Sequence, residues 1–190
     1  IGICGSGIID AAAILVQTGA SDYTGRILEA AEAPSEAARA VLMRRVDVDG
    51  EPAIIIAEGS DTEDGEPILF TQRDLREIQL AKAAIAAGIK TLVRESGKSL
   101  SDVKRIFLAG GFGSYIRKES ACAIGLLPIE FADRIETVGN SAGLGAIMAS
   151  LSRDMLGKSV HLKEKARYIE LSGSAVFQDE YIESMYFPEW

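Results

Sequence analysis

The prediction of the fold starts from one stretch of sequence, Arg105-Ile106-Phe107-Leu108-Ala109-Gly110-Gly111-Phe112-Gly113-Ser114-Tyr115-Ile116. Its four successive apolar residues, Ile106 to Ala109, predict a short strand that is buried on both faces. Three glycines among the next four residues predict a tight turn, because glycine adopts positive φ freely and lets another group approach the backbone. Residues 117–124 are compatible with a helix. A strand, a glycine turn and a helix N-terminus favour a nucleotide site, although a βα turn without a ligand has the same local pattern.

A second glycine turn opens the chain. Ile1-Gly2-Ile3-Cys4-Gly5-Ser6-Gly7 precedes a predicted helix from Ile8 to Val16, for which Gly19 is the stop signal. Free backbone N–H groups at the start of such a helix favour an anion by about 0.3–1 kcal/mol. The turn is therefore a candidate phosphate loop. The alternative is that its glycines serve only the close packing of the helix.

Composition limits the classes of function. The chain has 190 residues, 47% of them hydrophobic, which suits one globular domain. A net charge of −8 argues against a broad nucleic-acid surface, and no apolar run reaches the roughly 18 residues of a membrane span. Two cysteines and one histidine are too few for a four-ligand iron–sulfur or zinc site, so we predict no metal centre.

The cysteine count and the start of the chain suggest where the protein acts. Few cysteines and no signal peptide indicate a reducing cytoplasm. The chain begins with Ile directly on a glycine turn, so we expect it to be a piece of a longer protein.

The middle of the chain predicts a hairpin followed by a long helix. Val46 to Val48 alternates, Asp49-Gly50 supplies the turn, and Ala53 to Ala57 returns as a strand. After a short strand at residues 68–70, Thr71 opens the helix with Asp74 in a capping-box position. Apolar residues at helical spacing predict its buried stripe: Leu75, Ile78, Ala81, Ile85, Ile89 and Leu92.

A second strand, turn and helix follow the central stretch. Ile135 to Val138 predicts a strand, and Gly139 with Asn140 turns it into a helix of small residues. This βαβα order is typical of a parallel sheet flanked by helices. Further on, residues 166–171 predict a strand, and Phe177 to Phe187 predicts an amphipathic helix whose aromatic end clamps the core.

The reactive side chains predict no catalytic set. No nucleophile, base and orienting group come together in the sequence, and the lone His161 is read as a surface or packing residue. Cys4 lies at a predicted helix N-terminus, which would lower its pKa, but no resolving thiol is near it. The dinucleotide fingerprint fails twice, because Ile116 and Asp10 stand where its third glycine belongs. A mononucleotide held between two halves is favoured instead.

Several long, ungapped motifs resemble the C-terminal region of ATP-dependent reductive activators of corrinoid proteins. The resemblance spans the whole chain. It rests on residues 2–10, 71–82, 109–113, 124–128, 138–140, 168–171 and 185–188.

This resemblance implies a fold, a cofactor and a partner. The fold is α/β, with an actin/ribonuclease H-like mixed sheet, an N-terminal hairpin, later parallel strands and flanking helices. It belongs to the acetate and sugar kinase/heat-shock chaperone/actin type, of which residues 1–190 would form the second half. Full-length relatives use ATP with Mg²⁺ to drive reduction of Co(II) corrinoid to Co(I). Their electrons come from a [2Fe–2S] domain that is absent from this chain.

The resemblance also implies site residues. Gly110, Gly111, Phe112 and Gly113 would match the adenosine loop. Gly5, Ser6 and Gly7 would face the phosphates, and Gly139 with Asn140 would begin the helix beside the interdomain hinge. The expected partner is a corrinoid protein or a cobalamin-dependent methyltransferase, and the expected assembly is a homodimer.

Two other functions remain open at the level of sequence. This half could serve mainly for dimerisation or for docking the corrinoid protein, with the ATP contacts made elsewhere. It could also be half of a small-molecule kinase on the same fold, although the sequence gives no means of choosing a catalytic Asp.

Overall fold

The strands of the chain form two separate sheets. The computed structural model describes residues 2–190. The strands are β1 (Arg45–Val48), β2 (Glu51–Ala57), β3 (Ile68–Thr71), β4 (Ile106–Ala109) and β5 (Ile135–Gly139). The helices are α1 (Gly5–Thr18), α2 (Glu36–Leu42), α3 (Gln72–Glu95), α4 (Gly110–Gly113), α5 (Lys118–Ala123), α6 (Ser141–Leu151), α7 (Arg153–Lys165) and α8 (Ala175–Glu183). The predicted α/β fold is confirmed in its helices, its antiparallel hairpin and its parallel strand pair.

The antiparallel sheet has the order β1–β2–β3. The predicted hairpin is confirmed: β1 and β2 pair antiparallel, with Val48 opposite Glu51 next to the Asp49-Gly50 turn. β3 then runs directly into α3. The Thr71–Asp74 capping box is present, because the Thr71 hydroxyl accepts from the Asp74 N–H and the Asp74 carboxylate accepts from the Thr71 N–H.

The second sheet is the parallel pair of β4 and β5. The predicted burial of β4 on both faces is wrong, because Phe107 is 55% exposed and only Ile106 and Leu108 are half-buried. Alternate residues of a strand point to opposite faces, and within residues 2–190 only one face of β4 is covered. The burial of β4 therefore alternates along the strand.

The long helix α3 buries a different face from the predicted stripe. Leu75 and Ile78 are buried, but Ala81, Ile85 and Leu92 are exposed, so the prediction is wrong for those three. The buried face instead carries three polar residues, Gln79, Lys82 and Thr91, of which the first two donate hydrogen bonds and Thr91 has no side-chain partner within the described residues. Gln79 and Lys82 each donate to backbone carbonyls outside α3, and burial of a polar group is tolerated when it is hydrogen-bonded.

The C-terminal segment packs on this face of α3. Gln79 Nε2 donates to the carbonyls of Thr24 at 2.9 Å and of Met185 at 2.7 Å, and Lys82 Nζ donates to the carbonyl of Tyr186. Phe187 is buried and its N–H donates to the Tyr23 carbonyl at 2.8 Å. The predicted aromatic clamp at the end of the chain is thus confirmed. The predicted helix, however, ends at Glu183, so Phe187 lies in the segment that follows it.

Two parts of the C-terminal third differ from expectation. Residues 166–171 form no strand; Tyr168 is exposed, and no neighbouring strand offers it a partner within the part of the chain that the structure describes. Helix α7 has no counterpart in the sequence prediction. Ser152 caps it by accepting from the Met155 N–H, and His161 lies exposed on it, as predicted.

The main core lies between α1, α5 and the antiparallel sheet. Its members include Leu15 of α1, Phe70 of β3 and Ile124, which follows α5. Within residues 2–190 no helix combines the length and apolar character that crossing a membrane requires.

A pair of substitutions on α3 tests which face of this helix is buried. Leu75→Ala is expected to lower the free energy of unfolding by about 2–5 kcal/mol, because Leu75 is fully buried in the core. Ile85→Ala on the same helix should change it by about 0.5 kcal/mol, since half of Ile85 is exposed. Urea denaturation of residues 1–190 measures both values, and equal losses would contradict the observed orientation of α3.

Candidate functional site

The two glycine turns meet in space through Phe112 and Gly5. A Cβ built on Gly5 would lie 2.6 Å from Cε2 of the Phe112 ring, so the ring occupies space that any side chain at residue 5 would need. Both turns then face one cavity of about 570 Å³. Its wall consists of Cys4, Gly5, Ser6, Gly111, Phe112 and Tyr115.

One wall of the cavity is the N-terminus of α1. The predicted turn is wrong for Gly5, Ser6 and Gly7, which already form the first turn of α1; Ile1, where the predicted turn begins, lies outside the described residues. The first bond within the helix runs from the Ile8 N–H to the Cys4 carbonyl at 3.0 Å. Helix geometry leaves the N–H groups of residues 5–7 without carbonyl partners in the helix, which is the arrangement found where anions bind to helix N-termini.

Cys4 is the N-cap residue of α1, and its thiol is exposed. The Ser6 hydroxyl lies 3.3 Å from Cys4 Sγ. Hydrogen bonding from this hydroxyl, and then from the Gly7 N–H, lowers the pKa of Cys4 below its ordinary value, as predicted from its position. In contrast, burial raises the pKa of Cys122.

The other wall of the cavity is the single helical turn α4. Gly110 has φ of +93°, a conformation that residues with a side chain rarely adopt. A Cβ on Gly110 or on Gly111 would meet nothing within 4 Å, so the backbone at these residues faces open space. Gly113 differs, because a Cβ there would lie 3.1 Å from Cγ of Leu108, and this glycine serves packing.

The ends of the two parallel strands lie side by side. Ala109 of β4 is the register partner of Gly139 of β5, so the turns that follow them share one edge of the sheet. Ligands bind in α/β proteins at the carboxyl ends of parallel strands. Asn140 is the N-cap residue of α6, and its Oδ1 accepts from the Gly143 N–H at 2.9 Å.

The predicted site residues divide into two groups. Gly5, Ser6, Gly111 and Phe112 line the cavity. The others lie in the adjoining turns and not in the cavity wall: Gly7, Gly110, Gly113, Gly139 and Asn140. Sequence reasoning did not assign Tyr115 to the site, where it is 77% exposed at the rim. Its position three residues after Phe112, one helical turn further on, was the available signal.

No metal site accompanies this cavity in the described residues. Between residues 2 and 190, no group of three or more His, Cys, Asp or Glu side chains is arranged to hold a metal ion.

Comparisons with known proteins identify close relatives. The family described as "C-terminal domain of RACo the ASKHA domain" matches residues 1–190. The corrinoid activation enzyme RamQ of Eubacterium limosum is 34% identical over 189 residues, covering 98% of this chain and 31% of RamQ. The [Co(II) methylated amine-specific corrinoid protein] reductase of Methanosarcina barkeri is 28% identical over 120 residues, covering 62% of this chain and 22% of that protein.

A solved structure has the same fold. A reductive activator for corrinoid, iron–sulfur protein superposes with a TM-score of 0.84 at 32% identity, over 99% of this chain. The match covers 28% of the solved chain. This chain therefore spans less than a third of the length of RamQ and of the solved activator.

The hydrogen bond between Ser6 and Cys4 leads to a pH-dependent prediction. Because a thiolate reacts and a thiol does not, Cys4 should be alkylated by iodoacetamide at a lower pH than an unperturbed cysteine. Ser6→Ala removes the largest cause of the lowered pKa, so the midpoint of rate against pH should move upward. Mass spectrometry of the labelled peptides gives the rates, with the buried Cys122 as the slow internal control. An unchanged midpoint in Ser6→Ala would contradict this account.

Proposed function

The chain belongs to the family of C-terminal ASKHA domains of RACo, and we propose that it is the nucleotide-binding half of an ATP-dependent activator that reduces a corrinoid protein. One structural observation carries the proposal: Phe112 packs on Gly5, so that two glycine turns border one cavity. The relatives named above supply the reaction, because their names describe activation or reduction of corrinoid proteins.

The cavity suits a nucleotide in size and in chemistry. About 570 Å³ falls within the roughly 300–1,000 Å³ typical of small-molecule sites. The space beside Gly110 and Gly111 is empty, because nothing lies within 4 Å of a Cβ at either residue. A nucleoside could therefore lie directly against the backbone there. The N–H groups of Gly5, Ser6 and Gly7 have no carbonyl partner within α1 and would offer donors to phosphate oxygens at the positive end of this helix.

These features assign roles to the residues. Gly110, Gly111, Phe112 and Gly113 would hold the adenosine, and the first turn of α1 would hold the phosphates. Gly139 and Asn140 would fix the start of α6 beside the site, where the Asn140 cap already orders the backbone. Bound ATP would supply the free energy for the one-electron reduction of Co(II) to Co(I), which is the uphill step of the proposed activity.

In the proposed protein, this chain forms the second half of an actin-like ATPase domain within a longer polypeptide. The surface of α6 supports this reading. The helix contains no charged residue and buries none of its side chains against residues 2–190. Apolar helices of this kind are normally buried, so further polypeptide is expected to cover it. The ligands of Mg²⁺ and the [2Fe–2S] cluster are assigned to such further polypeptide. A corrinoid protein or cobalamin-dependent methyltransferase is the proposed partner, and a homodimer the proposed assembly.

One glycine substitution tests the nucleotide site. Gly111→Val in the intact protein is expected to weaken ATP binding at least about 10-fold, because the new side chain would occupy the space proposed for the nucleoside. The fold should tolerate it, since nothing in the described residues lies within 4 Å of a Cβ at this position. Isothermal titration calorimetry with Mg²⁺ and ATP measures the affinity.

Gly157→Val is the matched control for this experiment. Gly157 lies on the exposed helix α7, and a Cβ there also meets nothing within 4 Å. Its ATP affinity should equal that of the unmodified protein. If Gly111→Val bound ATP normally, the adenosine assignment would be wrong.

The reaction itself is tested with the intact protein, a low-potential electron donor and a Co(II) corrinoid protein. Visible absorption spectra should show Co(I) accumulating with ATP, and little Co(I) without nucleotide. Phosphoryl transfer to a small molecule, with no dependence of Co(I) formation on ATP, would instead identify a kinase on the same fold.

A further inference from the structure

A short hydrogen bond connects α1, whose N-terminus forms one wall of the cavity, to α5, the next helix after the α4 wall. Ser120 Oγ of α5 donates to Asp10 Oδ1 of α1 at 2.5 Å. Ser120 is only 7% exposed, so this bond is largely shielded from water. A hydroxyl bound to a carboxylate at this distance belongs to the strong, charge-assisted class.

α1 contains one set of site glycines, and α5 follows closely on the other. α1 begins with Gly5, and α5 follows α4 after a link of only four residues, 114–117. The Phe112–Gly5 contact joins the two turns at the cavity, and the Asp10–Ser120 bond joins the helices behind it. Five residues separate Gly5 from Asp10, which is roughly 7.5 Å along the helix axis. Two contacts this far apart fix both the separation and the direction of the two walls.

Apolar packing around these helices combines large residues of α1, namely Ile9, Leu15 and Val16, with small ones. The fully or almost fully buried apolar residues of α1 and α5 include four alanines, namely Ala12 and Ala13 on α1 and Ala121 and Ala123 on α5. Small side chains bury area but offer few ridges that would stop one helix from sliding along the other. The directional hydrogen bond adds a constraint on the position of α5 against α1, since its strength falls steeply when its geometry changes.

We propose that Asp10 and Ser120 are positioning residues, which hold the two walls of the cavity at the separation that a nucleotide requires. They touch neither the adenosine turn nor the phosphate turn themselves, and they act through α1 and α5. This inference rests on the proposed function, because it concerns the same cavity.

Nucleotide affinity in the intact protein tests the role of this pair. Ser120→Ala is expected to weaken ATP binding about 10-fold, as small displacements of binding groups do, while the rate of Co(I) formation at saturating ATP stays within about 2-fold. Asp10→Ala should behave in the same way. Asp10→Asn should restore most of the affinity, because the amide oxygen still accepts from Ser120. The double variant Asp10→Ala/Ser120→Ala should be no weaker than either single variant.

A control separates positioning from loss of stability. Ser35→Ala removes the hydrogen bond from the Ala38 N–H that caps α2, a helix that takes no part in the cavity wall. It should lower the unfolding midpoint without changing ATP affinity. If Ser120→Ala does not fold, the comparison of Asp10→Ala with Asp10→Asn answers the same question.

The results distinguish this inference from the proposed function. An unmodified protein that binds ATP, with Ser120→Ala and Asp10→Ala binding it equally well, overturns the positioning role alone. Failure of Asp10→Asn to restore affinity also overturns it. An unmodified protein that does not bind ATP overturns the proposed function, and this inference with it.

Discussion

The candidate site depends on the close approach of the Phe112 ring to the backbone of Gly5. The distance of 2.6 Å from the ring to an imagined Cβ is shorter than real Cβ contacts allow. Only glycine at residue 5 permits the ring to lie there without displacement, and its position brings α4 against the N-terminus of α1. This contact places the N-terminus of α1, with the Cys4 thiol and the N–H groups of its first turn, on the same cavity as α4.

Away from the cavity, the C-terminal segment is held on the core by a polar group of a type that is rarely buried in proteins. Lys82 is almost fully buried, with Nζ 4.8 Å from the centroid of the Phe187 ring and bonded to the Tyr186 carbonyl. Burial, with a smaller contribution from Lys90, lowers the pKa of Lys82 to about 8. Such burial disfavours the charged form, but the carbonyl and the aromatic face offset part of that cost. These contacts hold the C-terminal segment against α3. At its end, the Trp190 Nε1–H donates a hydrogen bond to the Ala123 carbonyl of α5 at 3.1 Å.

Features encoded by neighbouring residues could be predicted from the sequence, and features that depend on distant residues could not. The Asp49-Gly50 hairpin and the Thr71–Asp74 capping box each lie within a few residues, and both were predicted correctly. The buried face of α3 was not predicted correctly. Hydropathy gives no sign that Lys82 donates a hydrogen bond to a carbonyl 104 residues further along the chain. The exposure of Phe107 likewise depends on which strands flank β4.

For the glycines of the site, the sequence could not show which are required by packing and which are not. At Gly5 and Gly113 an added side chain would press on Phe112 and Leu108 and would displace them, so packing gives a reason for glycine at both positions. Gly110, Gly111 and Gly139 have nothing beside them within residues 2–190, so packing gives no reason for the missing side chain there. Positive φ explains Gly110 and Gly139, but Gly111 has no such conformation. For Gly111, neither sterics nor backbone geometry within the described residues excludes a side chain. Gly111 is therefore the glycine at which the proposed contact with a nucleotide can be tested without disturbing the fold.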